Sequence, residues 1–282
     1  MTWETLLRIF MFFGVFAVMA AIELWVPRRE LKFGRGRRWI TNFAIIGLDT
    51  LIVRIMMPTA VAGFALMAAR NDVGAMNMLP ITGLVAGIIG FLILDFTVWV
   101  AHIVSHKVPF FWSVHRLHHL DPDVDVTTAV RSHPFETLAL LFVKIGVVVA
   151  FGIPALAVVV FELVTTALLM FNHANVRIPQ PYDRYLRFVL ITPDMHHIHH
   201  SVYEPETNSN YGFNFSVWDR LFGTYIHEPR GGYEKLETGL EEYQDERATG
   251  FLFALSAPFR DQAADREDML RRRHEQERVA GE

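Results

Sequence analysis

The chain contains no cysteine. That excludes a disulfide-stapled fold, thiolate zinc sites, iron–sulfur clusters and a cysteine nucleophile. Charge is scarce as well: Asp, Glu, Lys and Arg make up 20 % of the 282 residues, against 52 % hydrophobic. Such a chain is not disordered, and it departs from the balance of an ordinary soluble enzyme. A net charge of -4 leaves no basic surplus, so no nucleic-acid partner is expected. Internal repeats and low-complexity segments are missing too.

What the chain has instead is apolar runs of bilayer length, for which about 20 residues suffice. Three lie at residues 6–26, 40–69 and 81–103. The first is not read as a signal peptide, because no small-x-small cleavage site precedes a soluble domain. The second carries Asp49 and Arg54, which at bilayer depth must turn toward protein. A fourth stretch, 137–171, is too long for one span and is broken at Gly152-Ile153-Pro154. Proline removes a donor and glycine loosens the backbone, so a helical hairpin is expected there. The predicted fold class is all-α: a polytopic membrane bundle of three spans plus a hairpin. Residues 182–225, polar and aromatic, read as a histidine-rich cytoplasmic cap. The apolar patch at 250–257 is expected to pack on that cap.

Charge sets the expected orientation. Arg28, Arg29, Lys32, Arg35, Arg37 and Arg38 separate the first two runs, whereas only Arg70 lies between the second and third. The positive-inside rule therefore places the loop at 28–38 in the cytoplasm. Counting spans, the end of the third run and both ends of the hairpin return to the same side.

Eleven of the 13 histidines fall between His102 and His200, and all are expected on that side. His102 and His106 form an i, i+4 pair. His115, His118 and His119, and again His196, His199 and His200, form i, i+3, i+4 triplets. On a helix such spacings bring imidazoles onto one face, whereas His197 is rotated about 100° away from His196. Imidazole suits iron, zinc, copper or nickel. A zinc takes three or four protein ligands, so eight clustered histidines are a surplus that points to two metals. His227 and His274 stand alone and are read as ordinary loop and tail residues. There is no His-Glu-x-x-His and no Glu-x-x-His, so neither a zincin protease nor a soluble di-iron carboxylate bundle is indicated. An all-histidine dinuclear centre remains, with iron for oxygen activation or zinc for hydrolysis.

The pattern resembles the fatty acid hydroxylase/sterol desaturase superfamily of membrane di-iron oxygenases. The likeness rests on Asp95 through His102-x-x-x-His106, Trp112-x-x-His115-x-x-His118-His119, Arg131-x-His133-Pro134-x-Glu136 and Asn172-His173-x-Asn175. It continues through Pro193-Asp194-x-His196-x-x-His199-His200 and Trp218-Asp219 to Gly223-Thr224. The resemblance implies two iron ions held by His102, His106, His115, His118, His119, His173, His196, His199 and His200, with O2 as co-substrate. No catalytic side chain is expected beyond the metal centre. His133, Asp95, Glu136, Asn172, Asn175, Asp194 and Asp219 are candidate ligands or supports of ligands. Asp95 sits seven residues before His102, about 10 Å by helical rise. It should therefore reach a histidine of another helix or a cation, and Asn172 and Asn175 should orient His173.

The implied activity is oxidation of a lipid C–H bond, hydroxylation favoured over desaturation. Electrons would come from an external reductase, ferredoxin or cytochrome b5-like protein. A substrate channel is expected between the third span and the hairpin. The expected divisions are 1–79 for the first spans and basic loop, 80–227 for the catalytic domain and 228–282 for a charged cytoplasmic tail. The location expected is a multi-pass position in a membrane, the inner membrane if the source is bacterial. A membrane metal-binding or transport protein, and a zinc-dependent lipid hydrolase, are the rival readings. A transporter would carry ligands along a path through the bilayer.

The topology has a direct test, since an introduced cysteine would be unique. Asp72→Cys in oriented vesicles should react with an impermeant thiol reagent only from the non-cytoplasmic side. Labelling only from the cytoplasm would invert the scheme.

Overall fold

The computed structural model of the chain describes residues 3–57, 59–79 and 81–280. Residues 1, 2, 58, 80, 281 and 282 of the expected divisions lie outside the described residues. Fourteen α-helices follow in order among the described residues. They are α1 (Trp3–Trp25), α2 (Gly36–Met56), α3 (Val61–Arg70), α4 (Ala75–Met78), α5 (Gly83–Lys107), α6 (Pro109–His119) and α7 (Pro134–Phe151). Then come α8 (Ala155–His173), α9 (Gln180–Leu186), α10 (Pro193–His199), α11 (Glu204–Thr207), α12 (Val217–Leu221), α13 (Phe251–Ser256) and α14 (Gln262–Ala280). The described residues hold no strand, only isolated bridges.

By length and composition, five helical segments suffice to cross a membrane: α1, the α2–α4 segment, α5, α7 and α8. The protein is a multi-pass integral membrane protein. The second run, expected as one span, is built from two helices. Met57 leaves helical geometry at φ -135°, ψ 78°, in keeping with the α region being disfavoured for a residue before proline. The loop after α3 also contains α4.

Hairpin closure depends on glycine. Gly152 caps α7 at φ 67°, and its N–H reaches the carbonyls of Val148 and Val149. A left-handed residue there satisfies orphan carbonyls, at no steric cost to glycine. Gly74 lies against this turn so closely that a Cβ on it would sit 2.3 Å from the Gly152 nitrogen. The α3–α5 connection and the hairpin turn therefore occupy one end of the bundle. Between the ends, Ala65, Leu94, Val98, Val148, Val158 and Phe161 belong to one buried cluster. Apolar side chains such as Ile55, Leu84, Ile88 and Leu156 point outward, as lipid-facing surfaces should.

The histidines lie at the opposite end, which polar bonds lock. Pro27 bridges Val176, joining the ends of α1 and α8. Buried Glu23 accepts from the backbone N–H groups of Val126 and Asn175, both at 2.7 Å. Arg38 is fully buried. Its guanidinium donates to Asp121 at 2.7 and 2.9 Å and to Asp125 at 2.8 Å. Arg131, also buried, donates to Asn42 at 2.9 Å and to the Leu117 and Ala248 carbonyls. The basic loop is thus more than an orientation signal. Arg28 pairs with Asp194 at 2.8 Å, and Arg29 donates to Thr238 and Leu236.

Residues 228–282 are not a featureless tail. Ala254 and Ala257 are buried with Ile45, Leu117, Leu120 and Tyr243. Patch 250–257 accordingly packs against α2 and α6, whereas the sequence suggested the 182–225 cap. Arg116 of α6 reinforces this by donating to the Ala257 carbonyl at 2.6 Å. Beyond it α14 is charged along its length, with i, i+4 pairs Glu267–Arg271 and Asp268–Arg272.

Two neighbouring arginines test the lock. Arg38→Met strands two buried carboxylates, a change that costs about 3–5 kcal/mol where a buried pair is broken. Arg37, largely exposed, meets Glu246 only at 4.0 Å, and such pairs contribute about 0–1 kcal/mol. Thermal melting of purified protein should show a large fall for Arg38→Met and almost none for Arg37→Met.

Candidate metal centre

Four helices bring the imidazoles together. The end of α5 supplies His102 and His106, and α6 supplies His115, His118 and His119. The last residue of α8 is His173. Pro193 opens α10 at its first turn, where its missing N–H costs nothing, and the helix carries His196 and His199 with His200 at its C-cap. Among the described residues two sets could hold an ion. One is His102, His106, His115, His119 and His199; the other is His118, His173, His196 and His200. Within each set the ligand atoms lie within 4.8 Å of one another. Donors on opposite sides of an ion bound at about 2.1 Å stand about 4.2 Å apart.

Proton accounting shows why a cation fits. His102 Nδ1 donates to the Tyr211 carbonyl at 2.7 Å, and His115 Nδ1 meets the Glu136 carboxylate at 2.5 Å. His118 Nδ1 donates to the Arg131 carbonyl at 3.1 Å and His173 Nδ1 to the Leu169 carbonyl at 2.7 Å. A neutral imidazole so placed has no proton left on Nε2. Yet the Nε2 atoms of His102 and His115 face each other at 3.2 Å, as do those of His118 and His173. Bare lone pairs repel at that distance unless a cation lies between or beside them. His106 Nε2, both His119 nitrogens, and His199 Nε2 are buried without a hydrogen-bond partner. These are orphans that metal coordination would satisfy.

Burial also keeps the rings neutral. Loss of solvent, then mutual repulsion among the imidazoles, holds His118, His119, His196 and His200 well below the ordinary histidine pKa. Desolvation brings His199 down to about 3. Neutral rings are the form that binds metals.

The supporting candidates separate clearly. Glu136 touches His115 and also accepts from Ser132 at 3.3 Å. Asp219 accepts from Trp99, Tyr211 N–H, Gly212 N–H and Thr224 at 2.6–3.1 Å. It thereby fixes the strand of backbone whose Tyr211 carbonyl holds His102. Asp194 pairs with Arg28 rather than with a histidine. His133 caps α7, its Nδ1 accepting from Phe135 N–H at 3.3 Å, and stands outside both sets. Two expectations are corrected. Asp95 reaches neither histidine nor cation; it accepts from the Trp218 indole at 2.7 Å, because α12 covers that part of α5. Asn172 donates to the Phe213 carbonyl and Asn175 clasps the backbone of Arg29, so neither bonds to His173, whose ring is held within its own helix. His197 turns away from both sets and meets the His173 carbonyl at 3.2 Å.

A cavity of about 1440 Å³ opens beside the five-imidazole set. Its walls come chiefly from α5 and α7, with contributions from the start of α6, Phe213, α12 and Phe259. Of the nine clustered histidines only His102 lines it, together with Glu136. This is the place expected for a channel, with the first arm of the hairpin serving as its wall.

Residues 87–224 match the family model for fatty acid hydroxylase. This segment is a fatty acid hydroxylase domain. Among curated proteins, ornithine lipid hydroxylase OlsE of Rhizobium tropici is 30 % identical over 173 residues, covering 61 % of this chain and 50 % of that protein. A cholesterol 25-hydroxylase-like protein of Danio rerio is 30 % identical over 139 residues, 49 % of this chain and 54 % of that protein. Alkylglycerol monooxygenase of Xenopus tropicalis is 30 % identical over 142 residues, 49 % of this chain and 30 % of that protein. The chain thus spans about half or less of the length of these relatives. No solved structure matches.

All nine clustered histidines fall in the fatty acid hydroxylase domain, but several of their supports do not. Glu23, Arg28, Arg38 and Asn42 come from α1, α2 and the loop between them. Sequence reasoning missed this clamp. Its visible signal is Asp121-Pro-Asp123-Val-Asp125, an acidic triplet just after the first histidine triplet and complementary to the basic loop.

Acidification offers a test of the buried neutral rings. Unfolded, each histidine titrates near 6.5, whereas folded His197 and His199 do so near 3. Below pH 6.5 the unfolded chain binds more protons, so stability falls with falling pH across the window from 6.5 to 3. The loss is on the order of 1 kcal/mol per pH unit for each such ring. Metal-free protein should therefore melt at progressively lower temperature as pH drops below 6.5, and flat melting temperatures from pH 7 to 5 would contradict it.

Proposed function

We propose that this protein is a di-iron lipid hydroxylase: an O2-dependent oxidoreductase that converts a C–H bond of a membrane lipid into C–OH. One observation carries the reading. Nine buried or half-buried imidazoles form two donor sets, one of which reaches an apolar cavity through His102. The curated relatives are named hydroxylases and monooxygenases, which favours hydroxylation over hydrolysis. Confinement of both sets to one end of the bundle disfavours a transport path.

In this reading His102, His106, His115, His119 and His199 hold one iron, and His118, His173, His196 and His200 the other. Iron supplies the reductive activation of O2 that an unactivated C–H bond demands. The chain's own residues bind and position. The carbonyls of Tyr211, Arg131, Leu169 and Ser209 and the carboxylate of Glu136 fix ring orientation and tautomer. The apolar walls of α5 and α7 take up the lipid and exclude water. In balance, one oxygen atom of O2 enters the C–H bond and the other leaves as water, with two electrons and two protons consumed. The electrons come from an external electron-transfer protein of the reductase, ferredoxin or cytochrome b5 type. Residues 80–227 form the catalytic domain, and its histidine end faces the cytoplasm beside the basic loop.

The experiment compares two histidines that differ by two positions. Purified wild-type protein should hold two irons per chain and oxidise lipid only with O2. His199→Ala removes a donor and should lose iron and turnover together. His197→Ala removes only a bond to a backbone carbonyl, so iron content should stay near wild type. Equal iron loss in the two variants would break the ligand assignment. Turnover without O2 would replace the hydroxylase by a hydrolase.

A further inference from the structure

The cavity is polar at one end and apolar along the rest of its length. Near the metal centre it is lined by His102, Glu136, Ser105 and Ser113. From there it follows α5 to Ile89 and Leu92, and α7 to Phe151. His102 and Ile89 are 13 residues apart on one helix, about 20 Å by helical rise. Glu136 and Phe151 give about the same length on α7. Polar groups elsewhere on the wall are already engaged. The Thr97 hydroxyl donates to the Ile93 carbonyl at 2.7 Å, and the Trp218 indole donates to Asp95.

The walls are also open to the side. Leu92, Phe142 and Val143 line the cavity yet remain 41–55 % exposed, so lipid surrounding the bundle reaches it laterally. One leaflet of hydrocarbon is about 15 Å deep, half of the roughly 30 Å core. The groove therefore accommodates one extended acyl chain lying along α5 and α7.

Only one direction of that chain is compatible with the lining. A polar headgroup at the Ile89–Phe151 end would be buried without a partner, at a cost of several kcal/mol on the order of 2–7. At the other end it finds Ser105 and the boundary where α5 closes in Lys107; the Ser113 hydroxyl there already donates to the Phe110 carbonyl at 2.7 Å and is left only as an acceptor. From these observations, and resting on the hydroxylase reading above, we infer that the substrate binds with its headgroup at the metal end and its chain terminus at Leu92 and Ile89. The carbon oxidised is thus close to the headgroup, and the Leu92 end of the groove measures chain length.

Binding and regiochemistry test this separately. Purified protein in detergent is incubated with radiolabelled octanoic or palmitic acid, and retention is measured. Leu92→Trp shortens the groove at its far end. It should weaken palmitate retention roughly tenfold more than octanoate retention, the scale of a poor fit in an apolar pocket. Val100→Trp, nearer the metals, should weaken both. Ile89→Trp is a second far-end variant should Leu92→Trp fail to fold. A headgroup at the far end would reverse the pattern, with octanoate lost in Leu92→Trp, and that overturns the inference. Retention of both acids unchanged in the far-end variants overturns it as well. In cells expressing the chain, mass-spectrometric fragmentation should place new oxygen near the headgroup. Oxygen near the chain terminus, or on the far end of a sterol, would sink the inference while leaving the hydroxylase intact. Absence of any oxidised lipid, with the retention pattern as expected, would refute the hydroxylase and leave the groove's direction standing.

Discussion

Two pairs of imidazoles turn bare Nε2 atoms toward each other at 3.2 Å, because their Nδ1 protons are already given to fixed acceptors. In a medium without water this arrangement is unfavourable unless positive charge sits among the nitrogens. Protons could supply that charge, but burial pushes the surrounding rings of α6 and α10 the other way. What is left is a metal cation. The fold holds these nitrogens in a geometry that is costly by itself, and the acceptors that fix the rings must be strong enough to withstand that cost.

The clamp described for the histidine end meets this need. Arg38 ties α2 to the segment after α6 through Asp121 and Asp125. Arg131, beside the same carboxylates, reaches the Leu117 carbonyl and leaves its own carbonyl for His118. Glu23 fixes the residues following His173. Removing any of these side chains leaves partners buried and unpaired, which is why an ion network that adds little net stability can still impose one arrangement. Residues outside the fatty acid hydroxylase domain thereby determine geometry within it.

The clustering of the nine histidines was legible because it is written in side chains at helical spacing. His115, His118 and His119 declare a shared face only if the segment is a helix, and α6 is one. The same logic separated His197 from its neighbours. Ring supports were much less legible. Four of the five acceptors are backbone carbonyls, and carbonyls leave no mark in a sequence. Asp95, Asn172 and Asn175 were misassigned for the converse reason: they have the right chemistry near the right histidines, but α12, Phe213 and Arg29 compete for them. The packing of 250–257 on α2 and α6 was hidden because an apolar patch shows that it will be covered and not by what. In the second run, Asp49 and Arg54 suggested inward faces, but nothing in the hydropathy marked the break at Met57.

An all-imidazole shell brings no negative charge. Two divalent ions within it would be offset, among the ring supports described here, by Glu136 alone, through His115. That carboxylate is also part of the cavity wall. A carboxylate accepting from a ligand's second nitrogen raises the basicity of that ligand relative to one held by a carbonyl. His115 is therefore the electron-rich member of the five-imidazole set, and the asymmetry falls on the side of the cavity. The opposite set, held by the Leu169 and Arg131 carbonyls and removed from the cavity, is the more electron-poor. Two sites built from one residue type are thus made unequal by their neighbours, with the carboxylate-supported one beside the cavity.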